Sequence, residues 1–185
     1  MRFPASLFTV GALAVLAGGC AEDPDPTDYK ALMREFVIRI SEYGRERIPG
    51  FIVIPQNGPE LLTESGEEHG PPAAHYLAAI NGVGREDLFY GFEEDDEPTP
   101  PDELAYMLFF TDLAEHEAVQ VLTADYCSTS SRVDDSYRRN EERGYTSFAA
   151  DSRELDRIPN HPAAPWNVIA RDIETLEGAA NFLYL

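Results

Sequence analysis

The chain has 185 residues and a formal net charge of −20, from 34 acidic and 14 basic side chains. That length predicts one domain, and so acidic a surface repels nucleic acid and anionic lipid headgroups while attracting cations. The strongest basic group, Arg138 and Arg139 with Arg143, sits among acids, so the basic stripe that a nucleic-acid partner needs is missing. The acidity has two readings: solubility in a salty medium, or attraction of a cationic substrate.

The first nineteen residues read as an export leader. Arg2 precedes "LFTVGALAVLAGGC" (7–20), a positive start followed by an apolar run that closes on small residues. The run is too short for a convincing membrane span. Leu16 to Cys20 resemble a bacterial lipoprotein box, which implies lipidation of Cys20 and a membrane-anchored, exported protein facing the periplasm or exterior. Plain secretion is the other reading. Residues 20–28 form an acidic linker, and 29–185 form the domain. With Cys20 acylated, Cys127 is left unpaired. No disulfide framework is then available. Cys127 itself reads as a buried small residue rather than a nucleophile, because no His or Lys stands beside it.

From Tyr29, apolar residues recur at Leu32, Met33, Phe36, Val37, Ile40 and Tyr43, which predicts a helix ended by Pro49-Gly50. "FIVI" (51–54) predicts a buried strand and "PQNGPE" a loop. Residues 59–72 are mostly loop, 73–78 a short helix, and "AAINGVG" (78–84) a second strand. "EEDDE" (93–97) reads as a solvated loop, since it lacks calcium-loop spacing. Thr99 is expected to cap a helix that starts at Pro100. "VQVLTADYC" (119–127) predicts a third strand, Ser131 the cap of the next helix, and "YTSFAA" (145–150) a fourth strand.

Helix and strand therefore alternate four times. Such spacing implies an α/β fold with parallel strands and crossover helices. Four β/α units amount to half of a closed eight-stranded barrel. In either an open sheet or a barrel, ligand-facing residues lie beyond the carboxyl ends of the strands. That rule selects Gln56 and Asn57, then Glu86 and Asp87, then Asp125 and Tyr126, then Asp151; Tyr90 follows the second strand closely. Gln56 and Asn57 suit sugar hydroxyls, although Asn57-Gly58 also reads as a simple turn. Asp125 suits an amine or a hydroxyl. Tyr126 and Tyr90 suit stacking on a sugar ring, or else packing between strand end and helix. His69, His75, His116 and His161 are scattered and predict no metal site. "GVGRED" lacks the later glycine and the lysine of nucleotide-binding loops, so no cofactor is expected.

Five stretches carry a resemblance: "MREFVIRISEYGRERIPGFIVIPQNGPELL" (33–62), "INGVGREDLFYG" (80–91), "TADYCSTSSRVDDSYRRNEERGY" (123–145), "RELDRIP" (153–159) and "EGAANFLYL" (177–185). Together they resemble the extracellular glycoside hydrolases of family 114, in particular the bacterial branch once labelled cysteinyl-tRNA synthetase-related. The resemblance implies a (β/α)8 barrel that cleaves α-1,4-linked galactosamine polymers, whose free amines an acidic domain would suit. It implies two catalytic carboxylates. Glu86 matches the glutamate of the pair by motif position and is expected to be the proton donor, with a raised pKa. Asp87 is expected to orient it. The aspartate partner lies, in that family, in a motif like "GFDGVYLD", which this chain lacks. The expected architecture is thus a partial barrel covering roughly strands five to eight. It would be completed by a homodimer or another partner, or else be a non-catalytic carbohydrate-binding remnant.

Overall fold

The structure is a computed structural model that describes residues 28–168 and 172–182. The expected leader and the Cys20 lipid site lie outside the described residues, as does the linker except for Asp28. Asp28 caps helix α1 (Tyr29–Arg47), its carboxylate accepting from the Ala31 amide at 2.9 Å. The helix forms where the apolar spacing predicts it, but it does not pack by that stripe. Leu32, Met33, Phe36, Ile40 and Tyr43 are exposed, while Arg34, Ser41 and Gly44 are buried.

The reason is backbone chemistry on the neighbouring segment. Helix α2 (Ala74–Ala79) has only six residues, so its last carbonyls lack helical partners. Ser41 donates to the Ala79 carbonyl at 2.6 Å, and Arg45 donates to the same oxygen at 3.0 Å. The Arg34 guanidinium forks onto the carbonyls of Thr63 and Glu64 at 2.9 and 3.0 Å. Gly44 is buried instead by the chain that leaves the helix, since a Cβ there would lie 2.3 Å from the Phe51 ring.

The sheet is open, parallel and three-stranded, in the order β1 (Gly82–Glu86), β2 (Gln120–Tyr126), β3 (Thr146–Ala150). Gly84 pairs with Leu122 and Leu122 with Thr146, which fixes the register. Helix α3 (Pro101–His116) makes the first crossover and α4 (Ser130–Glu141) the second. The expected first strand is extended chain rather than a full strand. Residues 51–57 run beside β1 through a single parallel bridge, Gln56 to Gly84, with the Gly84 and Asn57 amides each bonded across at 2.8 Å. The α/β class with parallel strands is therefore as the sequence implies, whereas the described sheet does not close.

Side chains alternate across the sheet. Val83, Val121, Thr123, Asp125 and Ala149 face the helices and are buried with Phe110, Val133 and Tyr137. Gly82, Gly84, Glu86, Leu122, Ala124, Tyr126 and Phe148 take the other face. The C-terminal stretch crosses that face in part: Phe182 packs on Phe148 at 6.1 Å between ring centroids, and the Ala179 carbonyl accepts from Gln120 and Thr146. Both faces of the strands are thus partly sheltered, which a parallel sheet requires.

Two expected caps differ. Thr99 does not cap α3; its hydroxyl donates to the Asp87 carbonyl at 3.0 Å, and Pro100 and Pro101 open the helix. Ser131 lies inside α4. The amides of Ser128 and Thr129 before that helix are taken by the Asp96 carboxylate, both at 2.8 Å.

Candidate functional site

Four sequence-selected residues converge at the carboxyl end of the sheet. Glu86 is the last residue of β1, and Tyr126 the last of β2. The Tyr126 hydroxyl donates to Glu86 Oε1 at 2.6 Å, and Asn57 Nδ2 donates to Oε2 at 3.3 Å. The Gln56 amide stands nearby and helps to hold the carboxyl in its charged form. The glycines of "NGVG" make this approach possible, because a Cβ on Gly84 would stand 1.9 Å from the Gln56 amide oxygen. Asn57 has φ 56° and Gly58 φ 66°, so the left-handed turn expected there is present as well as the contact to Glu86. Beneath Gln56 lies a cavity of about 280 Å³, lined by Ile54, Leu122, Ala124 and Phe182.

The protonation state of Glu86 differs from expectation. Partial burial pushes its carboxyl upward, but the hydrogen bonds from Tyr126 and Asn57, the nearby Gln56 amide and the Arg153 charge outweigh burial. The group lies below the usual glutamate range and is ionised at neutral pH. It is therefore poised to pair with a cation, not to donate a proton. Asp87 moves the other way: burial raises it, with the Glu86 charge adding to the rise and Arg153 opposing it.

Arg153, two residues beyond the strand-end Asp151, organises the rim. It bonds Asp87 Oδ1 at 2.8 Å, reaches Asp95 and the Gly91 carbonyl, and lies 4.1 Å above the Tyr126 ring. The signal that could have found it is its place in the segment leaving β3, one of the strand-end connections where ligand-facing groups gather. Asp151 is instead paired to Arg157 at 3.3 Å and does not join the Glu86 cluster. The acidic run 93–97 is not simply solvated: Asp95 holds Arg153, Asp96 holds the start of α4, and Glu97 pairs with Arg132 at 3.2 Å.

Three expected ligand contacts are corrected. Asp125 is 0% exposed and faces the helices, accepting from the amides of Phe89 and Tyr90, from Ser136 Oγ at 2.6 Å and from Asn140 Nδ2. Burial pushes its carboxyl up against those four hydrogen bonds. It ties the loop after β1 to α4 and cannot touch a ligand. Tyr90 is 6% exposed and donates to Asp135 at 2.7 Å, on the helix side. Tyr126 is 3% exposed with Arg153 over its ring, so it offers a hydroxyl but no stacking surface. Cys127 is buried, and desolvation raises its thiol. Among the described residues, no group of three or more His, Cys, Asp or Glu side chains is placed to hold a metal ion.

Comparison with known proteins finds two uncharacterized relatives. One, from Methanocaldococcus jannaschii, is 32% identical over 149 residues, covering 75% of this chain and 40% of that protein. The other, from Thermotoga maritima, is 29% identical over 135 residues, covering 68% of this chain and 38% of that protein. The chain thus spans about two fifths of the length of these relatives. No family model matches the chain.

Proposed function

We propose that this chain binds an aminosugar polymer at the Glu86 end of its sheet, as one half of a glycoside-hydrolase-like (β/α) barrel. The observation that carries this reading is the Glu86 carboxylate. Neutral groups, Tyr126 and Asn57, hold its two oxygens at 2.6 and 3.3 Å. The other carboxylates of this rim, by contrast, are occupied: Asp87 and Asp95 by Arg153, Asp151 by Arg157. Glu86 makes no salt bridge of its own among the described residues, with Arg153 acting on it only from a distance, and such an ionised carboxylate can receive a ligand's ammonium group. A net charge of −20 favours the approach of a polycation. Gln56 and Asn57, both exposed, add amides for ring hydroxyls.

Hydrolysis of an O-glycosidic bond needs a second carboxyl group across the scissile bond, one protonated and one ionised. Glu86 fits the ionised member of such a pair. The protonated member would come from outside this chain, supplied by a further β/α segment or by a second copy that completes the barrel. An exported, lipid-anchored location through Cys20 belongs to the same proposal. The second reading, a binding remnant without catalysis, rests on the same carboxylate.

Both are tested by incubating the chain with de-N-acetylated α-1,4-galactosamine polymer, measuring binding by calorimetry and new reducing ends by colorimetry. Binding without reducing ends is expected for the chain alone. Absence of binding would contradict the proposal. Release of reducing ends that survives Glu86→Gln would contradict the role given to Glu86.

A further inference from the structure

Arg153 makes contacts that no surface arginine needs for solubility. Its guanidinium joins two separate pieces of the chain: the loop after β1, at Asp87, Gly91 and Asp95, and the ring of Tyr126 at the end of β2. Gly91 is shaped around it. Its φ is +106°, and a Cβ there would stand 2.8 Å from Asp87 Oδ1 and 3.2 Å from the Arg153 guanidinium. The Tyr126 ring under that guanidinium carries the hydroxyl that donates to Glu86 at 2.6 Å. A planar five-donor fork over an aromatic face does this where an ammonium cannot.

We infer that Arg153 is a positioning residue: it clasps the 87–95 loop onto the Tyr126 ring and thereby keeps the Tyr126 hydroxyl on the Glu86 carboxylate. The inference rests on the proposed binding role only for what Glu86 does afterwards. Among the described residues, the charged and titratable groups around Glu86 are Arg85 and Asp87 on its own strand segment, Tyr126 from β2, and Arg153 with Asp95 behind it. Arg153 also acts on Glu86 directly through its charge, so clasp and charge must be separated by experiment.

The test is the Glu86 side-chain carboxyl titration, followed by carbon-13 NMR on the full chain. Arg153→Gln is expected to move the Glu86 midpoint upward by about one pH unit. Arg153→Lys, which keeps the charge but loses the fork, is expected to restore only part of that change. In a Tyr126→Phe background, which already lacks the hydroxyl, Arg153→Gln is expected to give a smaller shift, the part that comes from the lost charge alone. An unchanged midpoint in Arg153→Gln, full restoration by Lys, or an equal shift in the Tyr126→Phe background would each overturn the clasp. If Arg153→Gln does not fold, Asp95→Asn loosens the same clasp at an exposed contact. The clasp then predicts an upward move of the Glu86 midpoint, whereas loss of a negative charge alone predicts a downward one; a downward move or none overturns it. No sugar enters this titration, so failure of polymer binding would sink the proposed function while leaving the clasp to be decided by its own result.

Discussion

Asp125 and Tyr126 are neighbours in the chain with opposite jobs. Strand alternation sends the Asp125 carboxylate into the helix layer and the Tyr126 hydroxyl to the other face. Strand-end position alone selects both residues, and only the period of two, combined with the register, separates them. Glu86, Gln56 and Asn57 were legible because each ends an extended segment and carries a polar group. Arg153 was not, because its role depends on a loop closing from 58 residues away in sequence onto Asp95. Replacing Asp125 with Ala would leave its buried donors without their acceptor, at a cost of about 3 kcal/mol or more. Urea unfolding should show that loss; a cost below about 1 kcal/mol, the ordinary worth of one hydrogen bond, would contradict the buried-anchor role. Glu86 works in the opposite pH direction to a raised acid. Its folded pKa is lowered, so its contribution to stability is full above the ordinary glutamate range and fades as pH falls through the lowered value. The melting-temperature advantage of wild type over Glu86→Gln should therefore shrink on acidification; an advantage that grows at acid pH would contradict an ionised Glu86.

Helix α1 shows what periodicity can and cannot say about an element. The 3.6-residue apolar spacing located the helix, because the same spacing governs side-chain direction wherever a helix forms. It did not reveal the packed face, because the carbonyls of Thr63, Glu64, Ala78 and Ala79 draw the arginine and serine side of the helix inward. In the isolated chain, Phe36→Ser should therefore change stability by no more than about 0.5 kcal/mol, since Phe36 is 58% exposed. Arg34→Ala should cost about 2 kcal/mol, chiefly through the Glu64 carbonyl it leaves without a donor, since the Thr63 carbonyl keeps the Gly66 amide. Chemical denaturation of both variants checks the ranking, and a larger loss for Phe36→Ser would mean that the apolar stripe is covered in solution. The strands were legible for a different reason: β-branched and small apolar runs bounded by turn residues mark β2 and β3 nearly to the residue. The 51–54 run met those criteria too, yet pairs on one side only, through the bridge at Gln56.

At the scale of the whole molecule, the order of β/α units was legible from spacing, while the open edges of the described sheet were not, because spacing along the chain does not say which strands meet in space. Charge is the global property that bears on binding. A polycation drawn to a surface of −20 should bind more weakly as salt rises, since screening at 0.15 M already acts within about 8 Å. That long-range attraction alone would be indifferent to any one residue. Calorimetric titration of a short α-1,4-galactosamine oligomer into wild type and Glu86→Gln, at fixed pH and salt, separates the general field from the site. Loss of a charged hydrogen bond predicts about tenfold weaker binding for Glu86→Gln with the fold intact. Equal affinities would contradict the claim that the Glu86 carboxylate receives the ligand.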